Sequence, residues 1–557
     1  MSRFRLPLEE RVLGPLLRRR AEHDGDRIYL QCGGSAWSFR QTDAKARAVA
    51  RGLRRLGVGK GDRVALLVRN SAEFVFAWFA CALRGAVTVP VNVNYKGALL
   101  EYVLNDCAPV GVVIDRALLP ELARLPAATL ARIGWVAVID ESQAENVGLH
   151  AGNAGTRAES AGAHAERAGT PPLRCVDFSS LDEEAGDDPE VESSFADIHA
   201  VMYTSGTSGP SKGVVMPNAH FFSSGATFIA ALDLRRDDVL FTNLPLFHGL
   251  ASRLGVLPAL VTGARVVIGQ RFSASEFWKE VAAADATLAH TIFTIPAVLK
   301  RQAPGPYDRA HRLRAMFNAH HDPEFEERFG VRLIESYGMT ETGQVICSSY
   351  EERRAGASGK VHEDWEVELF DEHDRPVPVG RIGEIVARPR LPCIMMREYL
   401  NKPLETLSAL GNLWFHTGDY ARRDDDGFFY FSGRKKEHIR RRGENISAFE
   451  IESVVDRHPD VIESAALPHP ADTGGEDEVR LVAVLRQGAQ LSASQLMDWL
   501  QQEIPYFMLP RYVEFAAVLP RTPTDKVEKY KLVERGLGPD AWDREAAGYQ
   551  VRRQARR

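Results

Sequence analysis

Long hydrophobic runs are missing from this chain: the most apolar stretch, "FVFAWFACAL" from Phe74 to Leu83, stops at Arg84, well short of the about 20 residues that a bilayer span requires. It reads as a buried helix. Charge of one sign is also missing, since 69 basic residues face 75 acidic ones and the formal net charge is −6. That balance gives no footprint for a nucleic-acid groove or a membrane-surface patch. Cysteine is sparse and scattered, at 32, 81, 107, 175, 347 and 393; without a C-x-x-C pair neither a zinc site nor a disulfide framework is expected, and a reducing cytoplasm is. The opening "MSRFRLPLEERVLGPLLRRR" carries charges throughout and lacks the uninterrupted apolar centre of a secretory signal.

Two familiar nucleotide signatures are absent as well. A Walker loop needs G-x-x-x-x-G-K-[ST], but counting from Gly206 places Ser211 where the second glycine belongs. The nearest approach to a dinucleotide fingerprint, "GVGKGD" from Gly57 to Asp62, has the wrong spacing and precedes a strand, so it reads as a helix-to-strand turn.

What is present is an ordinary globular composition, 45% apolar and 26% charged over 557 residues, which excludes wholesale disorder and exceeds what one core usually supports. Short β-branched runs ("DRVALLV", "AVTVPVNV", "GVVID", "WVAVI", "DVLFTNL", "ARVVIG", "HTIFTI") alternate with amphipathic stretches. Apolar runs flanked by helices predict mainly parallel strands covered on both faces, an α/β architecture. Residues 146–172, rich in Ala, Gly, Glu and His, read as a surface insertion, because their histidines have no ligand spacing. After about Arg434 the texture changes to a basic run, a helix "AFEIESVVDRHP", a strand "VRLVAVLR" and a helix "LSASQLMDWLQQEI". The expectation is a large domain over 1–434 of parallel and mixed sheets, a hinge at 435–436, and a small α+β domain over 436–557.

The segment "YTSGTSGPSKG", Tyr203 to Gly213, holds five small hydroxyl-bearing residues, three glycines and one lysine after an apolar run. Its backbone N–H groups and hydroxyls suit an oxyanion-rich guest, with Lys212 adding charge. Alone, such a loop is as commonly a surface turn. It is followed in order by "ESYGMTETG" (Glu335–Gly343), by "WFHTGDYARRDDDGFFYFSGRKKEHIRRRGENISAFEIE" (Trp414–Glu452) and by "PRTPTDKVEKYKL" (Pro520–Leu532).

This ordered set resembles the adenylate-forming, AMP-binding superfamily of acyl-CoA synthetases, peptide-synthetase adenylation domains and beetle luciferases, over essentially the whole chain. The resemblance implies a carboxylic acid activated by ATP to acyl-AMP, with pyrophosphate leaving, then passed to the thiol of coenzyme A. It implies that Thr204, Ser205, Gly206, Thr207, Ser208, Gly209 and Lys212 hold the β- and γ-phosphates. Thr340 is expected on the α-phosphate and Glu341 on Mg²⁺, a cation commonly held by one or two carboxylates plus phosphate oxygens. Tyr337 would face adenine, with Asn318, Ala319, His320, Gly338 and Met339 beside the nucleotide. Asp419 suits both ribose hydroxyls, and Arg434 ribose or phosphate. Lys526 would bridge the incoming carboxylate and the α-phosphate.

The resemblance also implies that the small domain turns about Lys436, withdrawing Lys526 and bringing Gly443 and Glu444 to the coenzyme A side. Acyl-pocket walls are expected at "LPLFHGLAS", at "FNAHH" and after "ESYG", with His248 as a gate and Gln344 beside it. No aspartate there would pair an α-ammonium, so an α-amino acid is disfavoured. Among branches, the texture is most like carnitine/crotonobetaine-CoA ligases and medium-chain acyl-CoA synthetases. A phosphopantetheinyl carrier protein stays open as the acceptor, as do a homodimer and a non-catalytic nucleotide binder. Three departures stand out: "GPSKG" lacks proline directly before Lys212, Ala448 replaces a proline, and Asp525 replaces the glycine beside Lys526.

Overall fold

The computed structural model describes residues 6–140, 174–204, 211–292, 294–317, 320–434, 438–441, 444–471, 477–504, 506–521 and 527–551. Contacts divide it into two units: Met1–Thr204, Ser211–Glu366 and Arg388–Ser408 form the larger, while Val367–Ala387 and Ala409–Arg557 belong to the smaller. The expected insertion at 146–172 and the hinge at 435–436 lie outside the described residues.

The large unit is built on two long sheets. One has eight strands in the order Glu398–Tyr399, Lys212–Pro217, Ile198–Thr204, Val87–Pro90, Arg63–Leu67, Gly111–Asp115, Trp135–Ile139 and Cys175–Asp177. Its middle is parallel, as uniformly apolar strands require. Its Lys212 edge is antiparallel, because Lys212–Pro217 returns directly beside Ile198–Thr204. The other sheet has seven strands, six of them (Arg332–Ile334, Ala315–Phe317, Leu288–His290, Val239–Thr242, Arg265–Ile268 and Ile28–Cys32) parallel to one another, with Ser35–Ser38 antiparallel to Ile28–Cys32 at the edge. A short antiparallel sheet contains Ser336–Met339 and Gly343–Cys347.

Helices cover these sheets for reasons local to the sequence. Phe39–Arg55 begins with a reciprocal capping box between Ser38 and Gln41. Ala72–Leu83 is buried around almost its whole circumference, as its unbroken apolar composition predicts. Asn218–Leu232 is nearly as deeply enclosed. The run "HTIFTI", expected as one strand, is instead split: the strand Leu288–His290 ends within it and the helix Thr294–Lys300 begins. Short apolar runs suit either state, and Pro296 falls in the first helical turn, where a missing N–H costs nothing.

The small unit is α+β. A four-stranded sheet (Trp365–Phe370, Ile382–Pro389, Phe415–Arg423, Phe429–Arg434) precedes a ribbon, His438–Arg441 with Glu444–Ser447, and a second four-stranded sheet from Val461–Pro470 to Trp542–Asp543. The helices Ala448–Val455 and Ala493–Glu503 pack on that second sheet through Ile451, Val455, Leu496 and Leu500, meeting Leu481 and Ala483. A buried Arg480–Glu514 pair, 2.6 Å apart, ties Asp477–Leu485 to Tyr512–Ala516.

Candidate active site

The strands Ile198–Thr204 and Lys212–Pro217 bring Thr204 opposite Lys212 in register. The connection between them carries Ser205, Gly206, Thr207, Ser208 and Gly209, which lie outside the described residues, as do Asn318, Ala319, Lys436, Gly443 and Lys526. Arg434 and Glu444 are described by backbone alone: Asp419 pairs with Arg434 and Arg441 with Glu444 in strand register.

The Lys212 ammonium stands over the Tyr399 ring, 4.5 Å from its centroid. Sequence reasoning did not single out Tyr399. It sits on the two-residue edge strand Glu398–Tyr399, held antiparallel to Val214 and Val215, and its hydroxyl donates to Glu341 Oε1 at 2.8 Å in a buried contact. Burial and the adjacent Glu341 carboxylate raise the Tyr399 phenol above its ordinary value, so the hydroxyl stays a proton donor. One aromatic ring thus joins the lysine of the hydroxyl-rich loop to the acid of "ESYGMTETG".

Glu341 is 6% exposed, and its carbonyl oxygen accepts from the Met396 N–H at 2.9 Å. Among the described residues no cluster of three or more His, Cys, Asp or Glu is arranged to hold a metal. A buried carboxylate joined through Tyr399 to Lys212 fits Mg²⁺ that arrives with nucleotide oxygens and water, which needs no all-protein cage. The residues present therefore fit the cation.

Thr340 is positioned from behind. Its carbonyl lies 2.9 Å from His220 Nε2, while His220 Nδ1 lies 2.9 Å from the Ile394 carbonyl. Burial, then the neighbouring Arg253 cation, push His220 down to about 3; a neutral ring donates to only one of those carbonyls. Gly338 pairs with Gln344 across a bulge. A Cβ on Gly338 would collide with the Gly343 carbonyl oxygen and lie 2.7 Å from Gln344 Cα, so the hairpin requires glycine there. Tyr337 is buried at 8% exposure, and Met339 pairs with Gly343.

His320 Nδ1 is 3.1 Å from Glu335 Oε2, and Ser358 donates to Glu335 Oε1 at 3.0 Å. His248 is exposed and its Nδ1 accepts from the Leu250 N–H at 3.2 Å, capping a short turn of helix. The Gln344 carbonyl accepts from Thr227 Oγ1 at 3.4 Å. In the small unit, Asp419 is 6% exposed. Its N–H donates to Thr417 Oγ1 at 3.1 Å, Thr417 donates to the Ile385 carbonyl at 2.7 Å, and the Gly418 N–H donates to Glu384 Oε1 at 3.0 Å. Gly418 takes a φ of +72°, which suits glycine.

The model of the AMP-binding enzyme family matches residues 17–400, and that of the AMP-binding enzyme C-terminal domain matches 450–526. The chain belongs to the AMP-binding enzyme family. A crotonobetaine/carnitine–CoA ligase of Salmonella paratyphi A is 31% identical over 525 residues, covering 92% of this chain and 97% of that relative. The ATP-bound structure of MatB from Rhodopseudomonas palustris aligns with a TM-score of 0.78 at 25% identity, covering 94% of this chain and 98% of that one. An anthranilate CoA ligase, AuaEII, in complex with anthranoyl-AMP shares the fold, with a TM-score of 0.81 at 24% identity over 95% of this chain and 98% of that one.

As a member of the family this chain is an AMP-forming acid–thiol ligase: the acid displaces pyrophosphate from ATP to give acyl-AMP, and a thiol then displaces AMP. ATP is its nucleotide, and an O-succinylbenzoate coenzyme A synthetase (MenE) of Bacillus subtilis, which shares the fold with a TM-score of 0.75 at 24% identity over 93% of this chain and 99% of that one, is solved in complex with ATP and magnesium ion. No helix among the described residues is long and apolar enough to cross a membrane.

Proposed function

We propose that the chain is a cytoplasmic acyl-CoA synthetase that uses free coenzyme A. The observation that carries this reading is the Lys212–Tyr399–Glu341 connection, which ties the hydroxyl-rich loop to the "TE" of the adenylate motif. Thr204, Ser205–Gly209 and Lys212 hold the β- and γ-phosphates. Thr340 meets the α-phosphate, and Glu341 holds Mg²⁺, which when bound neutralises phosphate charge. Tyr337, Gly338, Met339, Asn318, Ala319 and His320 border the base, and Asp419 and Arg434 take the ribose. Loose phosphoryl transfer asks chiefly for positioning and cationic charge, and Lys526 supplies the cation between carboxylate and α-phosphorus.

For the second half-reaction, the segment 436–557 turns about Lys436. This removes Lys526 and presents Gly443 and Glu444 to the pantetheine arm. His248 and Gln344 border the acid. The curated relatives are named for crotonobetaine and carnitine, and those acids head the list to be tried.

Pyrophosphate release across short, medium-chain, aryl and betaine acids, each with and without coenzyme A, tests the proposal. Multiple turnover only with coenzyme A supports it. A stoichiometric burst that coenzyme A leaves unchanged, but a pantetheinylated carrier protein relieves, assigns the acceptor to the carrier. Silence with every acid removes the reading.

A further inference from the structure

Arg253 follows the His248 turn directly, on the π-helical turn Ser252–Val256. It is 4% exposed. Its side chain lies between two segments taken above as acid-pocket walls: a Cβ on Gly249 would stand 3.2 Å from Arg253 Cδ, and one on Gly343 would stand 3.1 Å from Nη2.

The guanidinium has five N–H donors, and two meet acceptors: Nε donates to the Phe221 carbonyl at 3.3 Å and Nη2 to the His220 carbonyl at 3.0 Å. The Phe221 ring lies 5.7 Å away. No carboxylate pairs with Arg253 among the described residues. Burial alone pushes it down to about 9, which leaves it charged at neutral pH. Ser224 Oγ and Gln344 Oε1 are also buried without hydrogen-bond partners among the described residues. Ser224 Oγ would lie 2.7 Å from the same added Cβ of Gly343.

A buried cation without a counter-charge is costly, and a polar group left unmatched beside it adds to that cost. The two carbonyls anchor the side chain without neutralising it. A substrate that brings its own anion supplies what is missing. We infer that Arg253 receives a second anionic group of the acid, so that the substrate class is a dicarboxylate activated at one end and held by Arg253 at the other. The inference rests on the assignment of the His248 and Gln344 segments to the acid pocket. It also separates this chain from its betaine-named relatives, because a quaternary ammonium has no N–H and meets an unneutralised guanidinium as a like charge.

The test is kcat/KM for pyrophosphate release with acids matched in length and shape: hexanoate with adipate, benzoate with phthalate, and carnitine. The best dicarboxylate is expected to exceed its matched monocarboxylate by about tenfold or more, as when a site built to pair a polar group meets an analogue lacking it. Carnitine stays at background. Arg253→Gln brings the ratio close to one, and Arg253→Lys, which keeps the charge and allows for a loss of fold in the first variant, retains part of it.

A wild-type preference for the monocarboxylate or for carnitine overturns the inference, and this arm needs no variant. So does an unchanged ratio in Arg253→Gln, or an equal loss for both acids of a pair, which would make Arg253 a structural tie. Those results leave the ligase reading standing, whereas absence of pyrophosphate release with every acid overturns the site assignment and the inference together.

Discussion

Tyr399 makes two contacts that substitution separates. Tyr399→Phe removes the hydroxyl from Glu341 and keeps the ring beneath Lys212; Tyr399→Leu removes both. A hydrogen bond to a charged group contributes about 1.5–3 kcal/mol, so losing it should raise the Mg²⁺ concentration for half-maximal adenylation by about tenfold. The ring contact, about 0.5–1 kcal/mol, should appear only in the leucine variant, as a higher KM for ATP. Mn²⁺–ATP binding followed by electron paramagnetic resonance gives a readout independent of turnover. If the phenylalanine variant lowers the melting temperature and leaves metal binding unchanged, Tyr399 is merely structural. Gly338, Thr340 and Glu341 are legible in the sequence because they fall in one contiguous motif. Tyr399, His220 and Arg253 are not: their meaning arises from an edge strand, a buried helix and a π-turn that chain folding brings alongside that motif.

Three buried histidines sit on separate elements of the large unit. His199, on Ile198–Thr204, accepts from Trp78 Nε1 at 2.7 Å, with Asn218 Oδ1 2.8 Å from its other nitrogen. His220 lies on Asn218–Leu232, and His290 ends Leu288–His290 with Thr242 Oγ1 2.7 Å from Nε2. Burial is the main cause that pushes them down, His199 to about 4 and the other two to about 3. Their folded values lie below the unfolded one, so on acidification the unfolded chain takes up protons first. Stability is therefore full above about pH 6.5 and is lost as pH falls toward 4, by up to about 4 kcal/mol per pH unit for the three together. Melting temperatures at pH 7.5, 6.5 and 5.5 should be level across the first interval and drop across the second; a level profile throughout would contradict the burial of neutral rings. At this scale the sequence is legible where periodicity is long, as in Ala72–Leu83. It is not where a short β-branched run is cut by Pro296, or where a two-residue strand such as Glu398–Tyr399 is fixed only by its neighbour.

For the whole molecule, ordered motifs over most of the chain carry the family, and the α/β and α+β textures carry the character of the two units. Texture cannot reveal that the chain enters the smaller unit at Val367, returns at Arg388 and leaves again at Ala409, because each excursion is an ordinary strand. On the proposed reading the two half-reactions use different arrangements of the C-terminal segment, so they should respond differently to one substitution. Lys526 serves only adenylation, where a cation aimed at developing charge contributes about 10²–10³ in rate. Lys526→Ala should lose that factor in acyl-AMP formation from acid and ATP. Thioester formation from supplied acyl-AMP and coenzyme A should stay within about threefold, because no interaction specific to that transition state has been removed. Asp525, next to Lys526 in the sequence, adds a second arm: a carboxylate that restrains the neighbouring ammonium slows adenylation, so Asp525→Gly should speed the first half-reaction and leave the second unchanged. Equal losses in both half-reactions for Lys526→Ala would mean that the lysine supports the fold of the segment, and domain alternation about Lys436 would lose its chief support.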